Sequence, residues 1–156
     1  MKKKLVKWKI LVVSFVIVYL VALIGSLFTT GNVRTDWYES IKPKLTPPNW
    51  VFPIVWNILF FLIALSLYFV WTAKNKEIKN KTFLFFGINL FLNALWSFLY
   101  FQMKNPLLAF FDIILIWISI IMMIYFSGKI SKPAAYFLIP YLLWVSFAGI
   151  LNFLSI

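Results

Sequence analysis

Asn89, Asn93, Trp96, Ser97 and Tyr100 recur at steps of three and four residues, and so do Phe137, Tyr141, Trp144, Ala148 and Asn152. That spacing puts each set on one face of a helix. The chain has no cysteine and no histidine. Disulfides, thiolate and imidazole metal ligation, Cys or His ligation of haem, and His-based nucleophilic triads are therefore excluded. Its five glycines are too scattered for a phosphate-binding loop. Chemistry must run on aromatic rings, amides, hydroxyls and one or two carboxylates, with neither a metal site nor a resident cofactor expected.

One carboxylate stands apart. Asp112 is the only acid inside a long apolar run, where insertion costs on the order of 2.5–3.5 kcal/mol at mid-bilayer, so it should face inward. It reads either as a structural group, bonded to an Asn or Ser of the preceding helix or to a helix terminus, or as a proton relay. The structural reading is preferred, because a relay needs a second titratable partner and the other acids lie outside the runs. Asn93 and Asn152 divide in the same way, between ties joining helices and groups that orient a ligand's polar edge.

The elements that must position these groups are membrane helices. The chain is 63% hydrophobic and only 12% charged, against about 25% charged in soluble domains. Five runs, near 10–28, 51–73, 83–103, 107–127 and 134–154, reach the roughly 20 apolar residues that a bilayer crossing takes. The reading is all-α: one domain, 1–156, built as a bundle of five transmembrane helices. "MKKKLVKWKI" resembles the start of a signal peptide, but the apolar run after it is too long and no A-x-A site follows. It is read as a retained first helix.

The net charge of +11 does not point to nucleic acid. Eleven of the fifteen basic residues, from Lys2, Lys3, Lys4, Lys7 and Lys9 through Lys74–Lys81 to Lys129 and Lys132, fall on one side of the proposed bundle. Arg34, Lys42, Lys44 and Lys104 fall on the other. Lysines so placed anchor to lipid headgroups. By the positive-inside rule the N-terminus is cytoplasmic and the C-terminus external, in a multi-pass protein of the cell membrane. Small residues of the first run, Ser14, Ala22, Gly25, Ser26 and Thr29, suit close packing within the bundle or between protomers.

The first connection, 30–49, is long. With the start of the next run it reads "WYESIKPKLTPPNWVFPIVW" (37–56), three tryptophans and four prolines in twenty positions. Pro43, Pro47 and Pro48 stiffen it, and Asn49 is the expected N-cap of the following helix. Trp50 and Trp56 then form either an interfacial aromatic belt or the wall of a pocket under a capping loop.

This stretch, with "NALWSFLYF" (93–101), "AFFDIIL" (109–115) and "PYLLWVSFAGILNF" (140–153), resembles the TspO/MBR translocator proteins, once called peripheral-type benzodiazepine receptors. The resemblance covers nearly the whole chain. It implies a five-helix bundle, usually a homodimer, that binds porphyrins such as protoporphyrin IX or aromatic ligands of the benzodiazepine-site type. Bacterial relatives are associated with light- and oxygen-dependent breakdown of protoporphyrin IX. Carried over by position, the ligand pocket involves Tyr38, Trp50, Trp56, Phe60, Asn93, Trp96, Trp144 and Ala148.

Three departures stand out. Phe60 replaces a frequent tyrosine, and the proline of "WVFPIVW" falls one place early. Phe153 stands where the family's sterol motif has its tyrosine, with no basic residue after Lys132, so cholesterol is not the expected ligand. A porphyrin's π-face suits indole stacking, and its propionates suit Arg34, Lys42 and Lys44. The resulting expectation is a porphyrin-binding protein in which the indoles of Trp56 and Trp144 act on the photoexcited ligand. The competing class is a non-enzymatic porphyrin transporter or stress sensor, and the lack of an inverted repeat disfavours a conventional secondary transporter.

Overall fold

The computed structural model describes residues 6–156; Lys2, Lys3 and Lys4, counted in the charge asymmetry above, lie outside them. Among the described residues six α-helices follow one another: α1 Trp8–Thr29, α2 Asp36–Ile41, α3 Val51–Thr72, α4 Lys76–Ser97, α5 Pro106–Ile130 and α6 Lys132–Phe153. All but α2 are long and apolar enough to cross a membrane, and the protein is a multi-pass membrane protein.

Side-chain caps set three of the starts. Thr35 Oγ1 accepts from the Tyr38 amide at 3.4 Å and opens α2, a short helix within the stretch expected to be loop alone. Asp36 and Glu39 in its first turn complement the positive end of its dipole. Asn75 Oδ1 accepts from Ile78 and Asn105 Oδ1 from Leu108, with Pro106 leading α5. The Asn75 cap and the Glu77–Lys81 pair at 2.9 Å start α4 well ahead of residue 83, because "KEIKNK" is helical but too polar to register as a span.

The cap expected from Asn49 does not form. A turn closed by the Val51 amide on the Pro48 carbonyl leaves Trp50 at the N-cap position. Asn49 Nδ2 instead donates to the Val33 carbonyl at 3.2 Å, tying the two ends of the loop together.

The helices close into a ring in the order α1, α3, α6, α5, α4 and back to α1. Its two halves differ. At the lysine-rich end Ile63, Val70, Ile120, Met123 and Leu138 are fully buried, and Ser66 Oγ donates to the Ala134 carbonyl at 2.7 Å. The exterior is apolar as well, with Leu20, Leu27, Phe111, Leu115 and Leu143 exposed, as lipid contact requires. The loop end is hollow.

At that end α4 does not stop as an α-helix. Phe98–Gln102 form a π-turn, with the Met103 amide bonded to the Phe98 carbonyl at 2.9 Å. Lys104 follows in the left-handed region, at φ 51°. The wider turn brings two consecutive side chains, Tyr100 and Phe101, inward against the 30–49 segment. Trp37 packs edge-on to Tyr100 at 5.9 Å and Tyr38 lies 5.7 Å from Phe101. A one-residue irregularity thus makes the seat for the capping loop.

Candidate functional site

The hollow at the loop end is a cavity of about 1040 Å³, at the upper end of the usual range for small-molecule sites. Each wall follows from a local rule. On α4 the three-and-four spacing turns Asn93, Trp96 and Ser97 inward, and on α6 it does the same for Trp144, Ala148 and Asn152. The start of α3 supplies Trp50, Trp56 and Phe60, and the capping segment supplies Tyr38, Pro43 and Thr46. All eight residues singled out from the sequence as pocket-forming therefore line this one cavity. Phe137 and Tyr141 do not join the others of their stripe: Phe137 stacks on Phe69 at 5.8 Å, in the packed half, and Tyr141 is fully buried.

Gly25 explains how α1 can close the ring. A Cβ there would stand 3.3 Å from Ser97 Oγ, so this glycine lets α1 approach α4. At Gly25 the small-residue face of α1 therefore serves packing within the bundle.

Below the cavity runs a relay of hydrogen bonds. Asn93 Nδ2 donates to Tyr141 Oη at 2.9 Å, Tyr141 Oη to Asn89 Oδ1 at 3.1 Å, and Asn89 Nδ2 to Ser119 Oγ at 2.9 Å. Ser119 ends it on the Ile116 carbonyl at 2.6 Å. Asn93 is thus a helix tie that also borders the cavity. Trp96 Nε1 donates to Asn152 Oδ1 at 2.9 Å, and Asn152 Nδ2 to the Pro106 carbonyl at 2.8 Å.

Asp112 takes part in none of these. It is buried, and its Oδ2 has no partner among the described residues. The Asn or Ser tie expected for it is absent among the described residues. Asp112 does not line the cavity.

Two other buried polar atoms lack partners among the described residues and belong to cavity-lining residues: Trp144 Nε1 and Thr46 Oγ1. An unpaired buried donor loses about 1–3 kcal/mol relative to a satisfied one. Both atoms are themselves buried, so neither is open to the cavity. Trp144 also packs edge-on to Phe52 at 5.8 Å, and Trp56 stacks on Phe60 at 5.2 Å. Thr46 was not singled out from the sequence; a threonine before two prolines carries no periodic signal.

The cations expected at the mouth divide. Lys42 is paired with Glu39 at 2.7 Å and sits over the Tyr38 ring, and Lys104 sits over Trp37. Lys44 does not line the cavity, whereas Arg34 does. Tyr38, outside the spans, has its hydroxyl pushed up to about 12, mainly by burial. It is a neutral group at physiological pH.

Against known proteins, the model of the TspO/MBR family matches residues 13–155. A tryptophan-rich protein TspO of Chlorobaculum tepidum is 42% identical over 130 residues, 83% of this chain and 82% of that one. Another tryptophan-rich protein TspO, from Archaeoglobus fulgidus, is 45% identical over 62 residues, spanning 39% of this chain and 40% of its own. The translocator protein of Bos taurus is 30% identical over 133 residues, 83% of this chain and 78% of that one.

Proposed function

The chain belongs to the TspO/MBR family, and on that premise we propose that its cavity binds a tetrapyrrole, protoporphyrin IX, and promotes its light- and oxygen-dependent degradation. The observation that carries this reading is a large cavity walled by the indoles of Trp50, Trp56, Trp96 and Trp144. A flat ring stacks on indoles and offers acceptors along its edge. Arg34, on the cavity rim, suits a propionate.

The chemistry needs only light and dioxygen besides the protein. The photoexcited ring takes one electron from the indole of Trp144 or Trp56 and passes it to dioxygen, giving superoxide. The indole radical cation recovers its electron from the ring, and superoxide adds to the ring radical cation. One ring and one dioxygen combine, and the indole is returned unchanged.

The packed half of the bundle supports binding and turnover over passage straight through it, since Ile63, Ile120 and Leu138 are fully buried there. On the same reading the protein sits in the cell membrane as a homodimer, with its lysine-rich end cytoplasmic.

The test is to titrate reconstituted protein with protoporphyrin IX by tryptophan quenching, then illuminate it with and without oxygen. Saturable quenching and a protein-dependent new chromophore that needs both light and oxygen are expected. Bleaching at the rate of free porphyrin would leave a binding protein without turnover.

A further inference from the structure

The cavity has one open side. Most of its lining is buried or half-buried, and the capping segment closes its end through the Trp37–Tyr100 and Tyr38–Phe101 contacts. The lining residues of α4, α5 and α6 are all buried or half-buried. Gly25 against Ser97 seals α1 to α4.

The exposed lining residues are elsewhere. Leu23 and Ser26 are on α1; Trp50, Pro53 and Asn57 are at the head of α3. A side chain that is mostly exposed and yet lines a cavity stands at its mouth. Leu23 is 57% and Trp50 66% exposed. Thr30 and Arg34, also exposed, continue this rim toward the loop.

The seam between α1 and α3 is closed only in its other part. Phe15 packs edge-on to Phe61 at 5.3 Å, and Tyr19 Oη donates to the Asn57 carbonyl at 3.3 Å. Among the described residues no hydrogen bond or aromatic pair joins the two helices on the loop side of Tyr19. Leu23 and Asn57 each lie six residues inside the loop-side end of their helix. At 1.5 Å per residue the mouth reaches about 9 Å down the span, which places it against lipid chains as well as headgroups.

We infer that the ligand enters and leaves sideways through this α1–α3 mouth, from within the bilayer, with the Tyr19–Asn57 bond as its sill. The class of ligand follows. It is partitioned into the membrane and flat enough to pass edge-on, about 3.5 Å per π-layer. It carries an acid group at one edge that ends near Arg34, on the headgroup side of the rim. The capping segment then need not open during exchange. The inference rests on the tetrapyrrole reading for its natural ligand.

Stopped-flow quenching of intrinsic tryptophan fluorescence tests it, with proteoliposomes mixed against phosphatidylcholine vesicles loaded with protoporphyrin IX. Ser26→Phe puts bulk into the mouth, and Leu23→Phe is a second, milder obstruction. Leu27→Phe, on the lipid-facing side of α1, is the control. Ser26→Phe should slow association and release together by tenfold or more, with Kd within about twofold of the parent, and Leu23→Phe should do so less. Parental rates in both mouth variants would overturn the inference. If the parent protein gives no quenching at all, the tetrapyrrole reading fails on its own. The same proteins are then read with doxyl-labelled stearic acid, a membrane-borne carboxylate quencher. Quenching that is slowed in Ser26→Phe and, less, in Leu23→Phe but not in Leu27→Phe upholds the mouth, and equal or absent quenching in all of them sinks it.

Discussion

The indole N–H of Trp96 donates to Asn152 Oδ1 across 2.9 Å, so α4 is bolted to α6 in the wall of the cavity. Trp144, on the same wall, has its N–H unpartnered among the described residues. Two tryptophans of one site thus differ: one ties two helices through its N–H and the other makes no such tie.

Trp96→Phe keeps the ring face, removes the donor and leaves the buried Asn152 oxygen without its partner. Stability should fall by about 0.6–1.7 kcal/mol, the span measured for interhelical hydrogen bonds in membranes. Trp144→Phe breaks no such bond and should unfold with the parent. Denaturation of both in detergent, followed by circular dichroism, checks this; equal stability would deny the tie.

Phenylalanine at Trp144 or Trp56 keeps an aromatic surface and loses the readily oxidised indole. Porphyrin affinity should drop by about 0.5–1.5 kcal/mol, as for aromatic pairs, while light-driven product formation at saturating ligand collapses. Trp71→Phe is the control, since Trp71 packs on Phe83 outside the cavity. Normal turnover in both cavity variants would remove the indoles from the chemistry.

Ala148 lines the cavity one turn beyond Trp144. Ala148→Thr adds a methyl and a hydroxyl to that wall and should weaken porphyrin binding several-fold with the bundle intact. Unchanged affinity and turnover would mean that the ligand lies elsewhere in the hollow.

Among the described residues Arg34 is the one exposed cation that lines the cavity, Lys42 being engaged with Glu39. Arg34→Gln should weaken protoporphyrin IX by about tenfold, roughly 1.4 kcal/mol, and should leave its dimethyl ester unaffected. Equal losses for acid and ester would show that Arg34 holds the loop rather than the ligand.

The eleven-to-four division of basic residues sets the last expectation. Fusions at Ile156 to a reporter active only outside the cytoplasm should be active, by the positive-inside rule. Activity only of a cytoplasmic reporter there would invert the topology.

The helices and the cavity stripes were legible because burial in a bundle writes a period into the sequence. Asn93, Trp96, Trp144 and Ala148 announce their faces by spacing alone. Position in space without period was not legible. Thr46 lies in a proline-rich segment whose path depends on contacts with α4, and the start of α4 at Lys76 was hidden by its polarity. Asn49 had the right chemistry for a cap, and the turn at Pro48 re-aimed it toward Val33. Asp112 is buried as expected, but its Oδ2 finds no partner among the described residues.

The π-turn at Phe98–Gln102 amounts to one residue more than an α-helix of the same reach would hold. In an ordinary span, losing a residue rotates everything after it by about 100°. A deletion inside 98–102 could instead be absorbed by reversion to α-helix, leaving α5 and α6 in register. The casualty would be the inward pairing of Tyr100 with Phe101, and with it the seat on which Trp37 and Tyr38 rest. The length of this one turn is therefore a setting that can uncouple the capping loop without dismantling the bundle.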